Sequence, residues 1–217
     1  MNITYLLGAG ASCNCLPIYN NFEKRFSHFL GFVQGQYEFF KEDKNYEDLL
    51  ESLRLIQREF SFHNTPDTIA KKYFHLGDPV MLNRVKNILI IFFVYEQTVD
   101  TSNEEKQPLD KRYDAFIASL LKPIPNKIEV IENIRILTWN YDLQFELSFS
   151  KYLLELVDEL QLLIQSYPKI KTGNPFNDSE FSKDGFSIIH LNGIAFPKPP
   201  RELDINRTSH FTSTTII

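Results

Sequence analysis

Three short polar stretches hold the residue types that could do chemistry in this chain. Residues 8–12 read Gly-Ala-Gly-Ala-Ser, residues 138–142 read Thr-Trp-Asn-Tyr-Asp, and His190 is followed by Gly193. The first stretch could bind phosphate, because glycines let the backbone approach closely and a helix N-terminus favours negative charge. The second supplies a hydroxyl, an amide and a carboxylate. The third supplies an imidazole, whose ordinary pKa of about 6.5 suits proton exchange near neutral pH.

Each stretch follows a predicted strand. Residues 3–7, 134–138 and 187–191 are short apolar runs rich in β-formers. After the first strand, Ser12 and Asn14 are predicted to cap a helix, so a strand, a glycine turn and a helix start follow one another. In open parallel sheets, ligands bind beyond the carboxyl ends of the strands. If the three strands are neighbours, their polar stretches converge on one crevice.

The sequence also predicts the helices that must position these strands. Between the first two strands, apolar residues recur at three- and four-residue steps. We expect helices from Asn20 to a break near Gly31 and Gly35, from a cap at Asn45 to Phe60, over 68–74, over 80–97, and from a cap at Asp110 to Leu121, before Pro123 and Pro125. A long helix is predicted over about residues 143–165. Residues 63–67, 77–79, 100–108 and 168–185 read as turns or loops, and the last 24 residues lack clear periodicity.

This order of elements predicts an α/β fold: a Rossmann-like open parallel sheet in a single domain, residues 1–217, with a large helical insertion over about residues 20–122. The 43% of hydrophobic residues, with 19 Phe and 10 Tyr, indicate a well-packed globular chain. The net charge of −5 argues against nucleic-acid binding through the whole surface. The longest apolar run, Ile88–Tyr95, is too short to span a bilayer, and the start lacks signal-peptide features, so we expect a cytoplasmic protein without a membrane partner.

Taken together and in this order, the three stretches resemble the sirtuin-like family, which binds NAD. Its members carry Gly-Ala-Gly-Ala/Ile-Ser early, Asn-x-Asp in the middle, and a catalytic His at a strand end followed by Gly. The chain is most similar to the bacterial sirtuin-like NADase domains of antiphage defence. Those domains show a form like Thr-x-Asn-Tyr-Asp and a helix like the Asn-Tyr-Glu-Asp-Leu-Leu of residues 45–50. The resemblance spans about residues 3–193.

The resemblance implies an NAD-cleaving hydrolase that releases nicotinamide and ADP-ribose, with NAD as substrate and no metal. Asn140 would hold the ribose or the attacking water, Asp142 would orient the site and stabilise positive charge, and His190 would be the base. The NAD-binding residues would be Gly8, Ala9, Gly10, Ala11, Ser12, Pro17 and Thr138, together with Asn140 and Asp142. An effector role in a bacterial defence system is implied too, with a homo-oligomer or a partner protein as the active form.

Departures from the family pattern favour NAD cleavage over protein deacylation. Residues 15–19 read Cys-Leu-Pro-Ile-Tyr, so Pro17 is kept and the Asp-Phe-Arg of deacylases is not. Two Cys in C-x-C spacing cannot form the paired CxxC zinc module. His190 is followed by Leu191-Asn192-Gly193, where deacylases place Gly directly after His. A dehydrogenase fingerprint would require Gly at position 13, which is Cys13.

Several alternatives stay open. The same fold could bind NAD or ADP-ribose without turnover, or act as an NAD-dependent deacylase. Asn140 and Asp142 could simply cap the following helix, and His190 could be a hydrogen-bonded structural residue. Cys13 and Cys15 read as packing residues. The family has further strands after its His, whereas 24 residues follow Gly193 here, so we expect either a fragment of a longer chain or a sheet completed by something else.

Overall fold

A computed structural model describes residues 2–98, 109–124, 127–153, 164–168 and 184–195 of the chain. The described residues among 1–15 and 100–217 form one compact unit, the sheet unit, and those among 16–99 form a second, the helical unit. The predicted insertion runs to about residue 122, but residues 111–120 belong to the sheet unit. Their apolar side chains, including Tyr113, Ile117 and Leu120, pack into the core of that unit.

The sheet unit is built on four parallel strands. These are β1 (Ile3–Leu7), β4 (Ile134–Thr138), β5 (Ser166–Tyr167) and β6 (Ser187–His190), and their order across the sheet is β1-β4-β6-β5. All three neighbouring pairs are parallel. The predicted mixed α/β class with a parallel sheet is therefore confirmed, and the three predicted strands are neighbours.

Two helices cover one face of this sheet. They are α6 (Lys111–Leu120) and α7 (Gln144–Leu153). Alternate residues of β4 and β6, among them Ile136 and Ile188, point to the same core as Ile117 of α6 and Phe149 of α7. These four side chains are at most 1% exposed. Their burial fixes the register of the central strands, because a slip by one residue would turn every apolar side chain to the other face.

The helical unit contains five helices within the described chain. They are α1 (Phe22–Gly35), α2 (Tyr37–Phe40), α3 (Lys44–Glu59), α4 (Pro66–His75) and α5 (Pro79–Thr98). Their core is aromatic: the Phe26 and Phe92 rings lie 5.4 Å apart, and both side chains are fully buried. Residues 80–97 are thus helical, as predicted from their length and spacing. Within the described residues, no helix is long and apolar enough to cross a membrane.

Four helix starts differ from the prediction. No long helix follows the glycine turn: Ala9–Ser12 form a short 3-10 helix, and α1 begins only at Phe22. The cap of α3 is Asp43, whose carboxylate accepts the Asn45 N–H at 2.8 Å, and Asn45 already lies inside the helix. Pro66 and Pro79 are first residues of helices because proline fits the first turn, where its missing N–H has no intrahelical partner.

α1 continues through Gly31 and ends at Gly35, so of the two glycines near which a break was expected, the second is where the helix ends. The buried stripe of Phe26, Phe29 and Val33 keeps it helical. A glycine inside a helix costs only about 1 kcal/mol, less than these buried side chains contribute.

Other elements were not expected from the sequence. Leu121–Ile124 (β2) and Lys127–Val130 (β3) pair antiparallel, so Pro123 lies in a strand directly after α6. β5 has two residues and begins directly after residue 165, the predicted end of the long helix. Of that predicted helix, residues 154–163 lie outside the described part, as do the predicted loop 100–108, most of 168–185, and the end of the chain from residue 196.

Candidate functional site

The carboxyl ends of three neighbouring strands meet at one level of the sheet. Leu7 of β1 is in register with Thr138 of β4, and Thr138 is in register with His190 of β6. The backbone continues this ladder beyond the strands: Trp139 N–H donates to the Leu7 carbonyl at 3.1 Å, and Leu191 N–H donates to the Thr138 carbonyl at 2.8 Å. The three polar stretches therefore begin side by side, as the sequence predicts.

Three predicted site residues contact each other through their side chains; we call them the site cluster. Ser12 Oγ donates to Asp142 Oδ1 at 3.1 Å and accepts from Asn140 Nδ2 at 3.3 Å. The Tyr113 hydroxyl lies 3.1 Å from the same oxygen of Ser12. Ser12 is 1% exposed, Asn140 8% and Asp142 6%. Residues from the loops after β1 and β4 thus form one buried polar cluster, in which Ser12 contacts a carboxylate instead of capping a helix.

Asp142 also starts α7. Its Oδ1 accepts the backbone N–H of Gln144, the first residue of that helix, at 3.0 Å. The same oxygen of Asp142 therefore caps α7 and accepts from Ser12, since a carboxylate oxygen can accept two hydrogen bonds. Thr138 has a local role: its hydroxyl accepts the Asn140 N–H at 3.0 Å and holds the turn after β4.

The glycines of residues 8–13, the glycine loop, face open space. A side chain built on Gly8 or Gly10 would meet no heavy atom of the described residues within 4 Å. Neither glycine has a positive φ angle among the backbone features of the described residues. The described fold thus gives no steric or conformational reason for glycine at either position. A ligand lying against the loop would give one, because its phosphates could approach the backbone only where side chains are missing.

The guanidinium of Arg112, in α6, binds the backbone carbonyls of the glycine loop. Its Nη2 donates to the carbonyls of Gly10 at 2.9 Å and Ala11 at 3.3 Å. The same guanidinium is paired with Asp110 through Nε and Nη2, at 2.9 and 2.5 Å. Asp110 caps α6, as predicted, and it also accepts from the backbone and side chain of Asn14. The loop is thereby fixed by a charged pair that the sequence motifs did not include.

His190 contacts two acceptors. Its Nε2 lies 2.8 Å from Glu146 Oε1, and its Nδ1 lies 3.2 Å from the backbone carbonyl of Asn140. Ser166 of β5 donates to the same oxygen of Glu146 at 2.7 Å. His190 is 5% exposed, and Glu146 and Ser166 are fully buried. A ring can donate from both nitrogens only as an imidazolium, so two acceptors, one at each nitrogen, favour the charged form of His190.

Burial and pairing shift the pKa values of these three groups in different directions. Burial raises the pKa of Asp142 to about 6, although hydrogen bonds from Gln144 and Ser12 and the charge of His190 oppose it. Burial alone would raise the pKa of Glu146, but the adjacent His190 charge and its hydrogen bonds hold it below the ordinary value. Burial opposes the charged form of His190, yet the Glu146 charge and hydrogen bond raise its pKa overall.

The first turn of α7 carries contacts that the motifs did not predict. Gln144 Oε1 accepts the Asp110 N–H at 3.1 Å, and Glu146 reaches His190. Together with Asp142, one helix start thus contacts the loop after β1, the start of α6, and strands β5 and β6. The sequence gives one indication of this: polar residues at 142, 144 and 146 alternate with apolar ones in a segment that follows a buried strand.

The remaining predicted site residues are placed as follows. Ala9 and Ala11 lie in the 3-10 helix of the glycine loop. Pro17 is buried and belongs to the helical unit. Cys13 contacts Arg112, with 3.4 Å between Sγ and Nη2, and Cys15 is buried. In the described ranges, no group of three or more His, Cys, Asp or Glu side chains is arranged to hold a metal ion.

Comparison of the chain with protein-family profiles, with curated proteins and with solved structures gives no significant match. The similarity to sirtuin-like domains therefore depends on the three motifs alone. The structure adds that the strands bearing them are adjacent and parallel, and that residues of the first two motifs are in direct contact.

Proposed function

We propose that the chain hydrolyses NAD, releasing nicotinamide and ADP-ribose. One observation carries this proposal: Ser12, Asn140 and Asp142 are joined side chain to side chain at the carboxyl edge of neighbouring parallel strands. That edge is where open α/β sheets bind nucleotides. The open space over Gly8 and Gly10 supports a phosphate-bearing ligand there.

The chemistry of NAD cleavage matches the groups in the site cluster. Breaking the bond between nicotinamide and ribose generates positive charge on the sugar, which a nearby carboxylate stabilises. With a pKa of about 6, Asp142 is mostly ionised at neutral pH and can supply this charge. It does so from a buried position, where an electrostatic interaction is stronger than in water. The amide of Asn140 provides a neutral partner for a ribose hydroxyl or a water molecule.

The base role of His190 stays a prediction. Accepting a proton requires a free lone pair on the ring, and both ring nitrogens face acceptors in this structure. His190 would therefore act as a base only after Nδ1 loses its proton to solvent or to a ligand. The release of nicotinamide itself does not depend on this step, because the departing base is neutral.

Nicotinamide release tests the proposal directly. The purified chain is incubated with NAD, and nicotinamide is measured by chromatography. We expect release by the wild type and a fall of at least about 100-fold in Asp142→Asn, since one preorganised electrostatic group contributes about that much. Asn140→Ala should also lower the rate. Ser148→Ala and Ser187→Ala are matched controls, because each removes a buried hydroxyl without a hydrogen-bond partner in the described chain.

Two outcomes would contradict the proposal. The first is that the wild type neither releases nicotinamide nor binds NAD in a calorimeter. The second is release that Asp142→Asn and Asn140→Ala leave unchanged, because catalysis would then lie elsewhere in the chain.

A module that binds NAD or ADP-ribose without turnover is the second candidate. The observation that favours it is that the side chains of Ser12 and His190 already contact hydrogen-bonding partners within the protein. Calorimetric binding of NAD without nicotinamide release, under any condition that leaves NAD stable, would select this candidate.

An effector role in bacterial antiphage defence is a further part of the proposal, and the motif similarity alone supports it. Such a role predicts that activity depends on self-association or on a partner protein. Light scattering at increasing protein concentration, with nicotinamide release measured in parallel, would detect the first of these. A rate per protein molecule that stays constant while the oligomer forms would contradict activation by self-association.

A further inference from the structure

Glu146 is a fully buried carboxylate at the centre of a chain of contacts. Its Oε1 receives both the Ser166 hydroxyl and His190 Nε2, at 2.7 and 2.8 Å. Its second oxygen, Oε2, is buried and has no hydrogen-bond partner among the described residues. A carboxylate is costly to bury without a compensating positive charge, and here His190 supplies that charge.

The contacts run from Glu146 to the site cluster. Glu146 holds one side of the His190 ring, and the other side of the ring lies against the Asn140 carbonyl. The Asn140 side chain in turn donates to Ser12. The His190 ring therefore links Glu146 to the loop after β4, so a substitution of Glu146 should affect the position of that loop.

The position of Glu146 distinguishes the two ring nitrogens. A carboxylate retains the proton of the nitrogen that it faces, so Nε2 keeps its hydrogen when the ring becomes neutral. The proton that leaves then comes from Nδ1, whose partner is a carbonyl at the longer distance of 3.2 Å. The lone pair formed in this way is directed towards the loop that carries Asn140. Orientation of a basic imidazole by a carboxylate on its other nitrogen is a general arrangement in catalysis.

We propose that Glu146 is a positioning residue for His190: it holds the Nε2 hydrogen, so that Nδ1 is the ring atom that gains and loses a proton beside Asn140. The use of that proton in NAD cleavage rests on the proposed function. The positioning itself does not, because it concerns only contacts within the chain.

Two carboxylates face the His190 ring within the described residues: Glu146, which bonds it, and Asp142, whose charge also acts on it. The contact from β5 comes through Ser166, which is not titratable. On α6, Tyr113 faces Ser12 and Asp142, and its pKa is raised by burial, so it stays neutral in the range of interest. Glu146 is therefore the group whose removal should change the titration of His190 most.

The test is an NMR titration of the imidazole nitrogens. The chain has five histidines, and the His190 signal is identified by its loss in His190→Gln. In the wild type we expect Nδ1 to titrate with a midpoint above 6.5, while Nε2 keeps its hydrogen. In Glu146→Gln, which keeps the shape and an acceptor oxygen, the midpoint should fall by about 1 to 3 pH units, as for loss of an adjacent opposite charge. Ser148→Ala, on the same helix, should leave it unchanged.

Either of two results would overturn the positioning role. One is a neutral wild-type ring that carries its hydrogen on Nδ1, a result that does not depend on Glu146→Gln and stands even if that variant fails to fold. The other is a folded Glu146→Gln variant with an unchanged midpoint. A failure of the wild type to cleave NAD would refute the proposed function without affecting the titration result.

Discussion

Replacement of Asp142 by Asn should stabilise the sheet unit increasingly as pH rises. The pKa of this carboxyl is raised from its ordinary value of 3.8 to about 6, chiefly by burial. Below pH 3.8 it is protonated in both the folded and the unfolded chain. Between these two values the unfolded chain loses the proton first, so the free energy of unfolding of the wild type falls as pH rises. Asn has no proton to lose, and its stability lacks this dependence.

The size of the effect follows from the two pKa values. At about 1.36 kcal/mol for each pH unit, the separation corresponds to about 3 kcal/mol over the whole range. Between pH 4.5 and pH 8, the stability of Asp142→Asn relative to wild type should therefore increase by about 2 kcal/mol. Any constant cost of the amide, such as an Nδ2 group without an acceptor, cancels in this difference.

Tryptophan fluorescence is the appropriate measurement. The single tryptophan, Trp139, lies in the sheet unit near Asp142, so urea unfolding followed by its emission reports on that unit. Wild type and Asp142→Asn are compared at pH 4.5 and pH 8, with Ser187→Ala as a buried polar control. A difference between wild type and Asp142→Asn that is the same at both pH values would refute the argument, because the carboxyl would then titrate alike in folded and unfolded chains.

Three further predictions test the loop, its clamp and the helical core. Gly10→Ala should preserve the free energy of unfolding or raise it by about 0.4 to 1 kcal/mol, since the backbone at residue 10 suits alanine. The same variant should no longer bind NAD in a calorimeter. Unchanged binding would exclude a ligand at this position. Arg112→Ala should lower the stability of the sheet unit by about 1 to 3 kcal/mol, since it removes hydrogen bonds to the buried Asp110 carboxylate, and it should also weaken NAD binding. Arg112→Lys should recover only part of each loss. A full recovery would show that the forked geometry of the guanidinium is unimportant. Phe92→Ala should destabilise the helical unit by about 3 to 5 kcal/mol in calorimetric unfolding, and a loss under 1 kcal/mol would mean that this aromatic core is loosely packed.

The main strands could be predicted because each is an apolar run with a polar end. Burial on a covered sheet forces that pattern on residues 134–138 and 187–190, and a parallel arrangement then brings the polar ends together. The contact of Ser12 with Asp142 follows from this geometry, although its details do not. β5 has only two residues, too few for any periodic pattern, and pairing with β6 alone places it in the sheet.

The partners within the site could not be predicted from the sequence. His190 and Glu146 are 44 positions apart, and Arg112 contacts a loop about a hundred residues before it. Such pairs depend on how helices pack on the sheet, which local spacing does not encode. The wrongly predicted helix starts have a local cause, because several nearby residues are equally suitable as caps. Asp43, Asn45, Ser12 and Asn14 are all suitable caps by type, and the fold uses only Asp43 in that way.

The edge position of β1 has a consequence for how ligand binding could be observed. Among the described strands, β1 pairs only with β4, and its three central residues are exposed. A strand held on one side opens locally at lower free energy than the central strands, so its amide hydrogens should exchange rapidly with solvent. The glycine loop begins directly after this strand, and a ligand bound to the loop would restrain that opening. Slower deuterium uptake at residues 3–7, with little change in β4, would therefore report occupancy of the loop without any need for turnover.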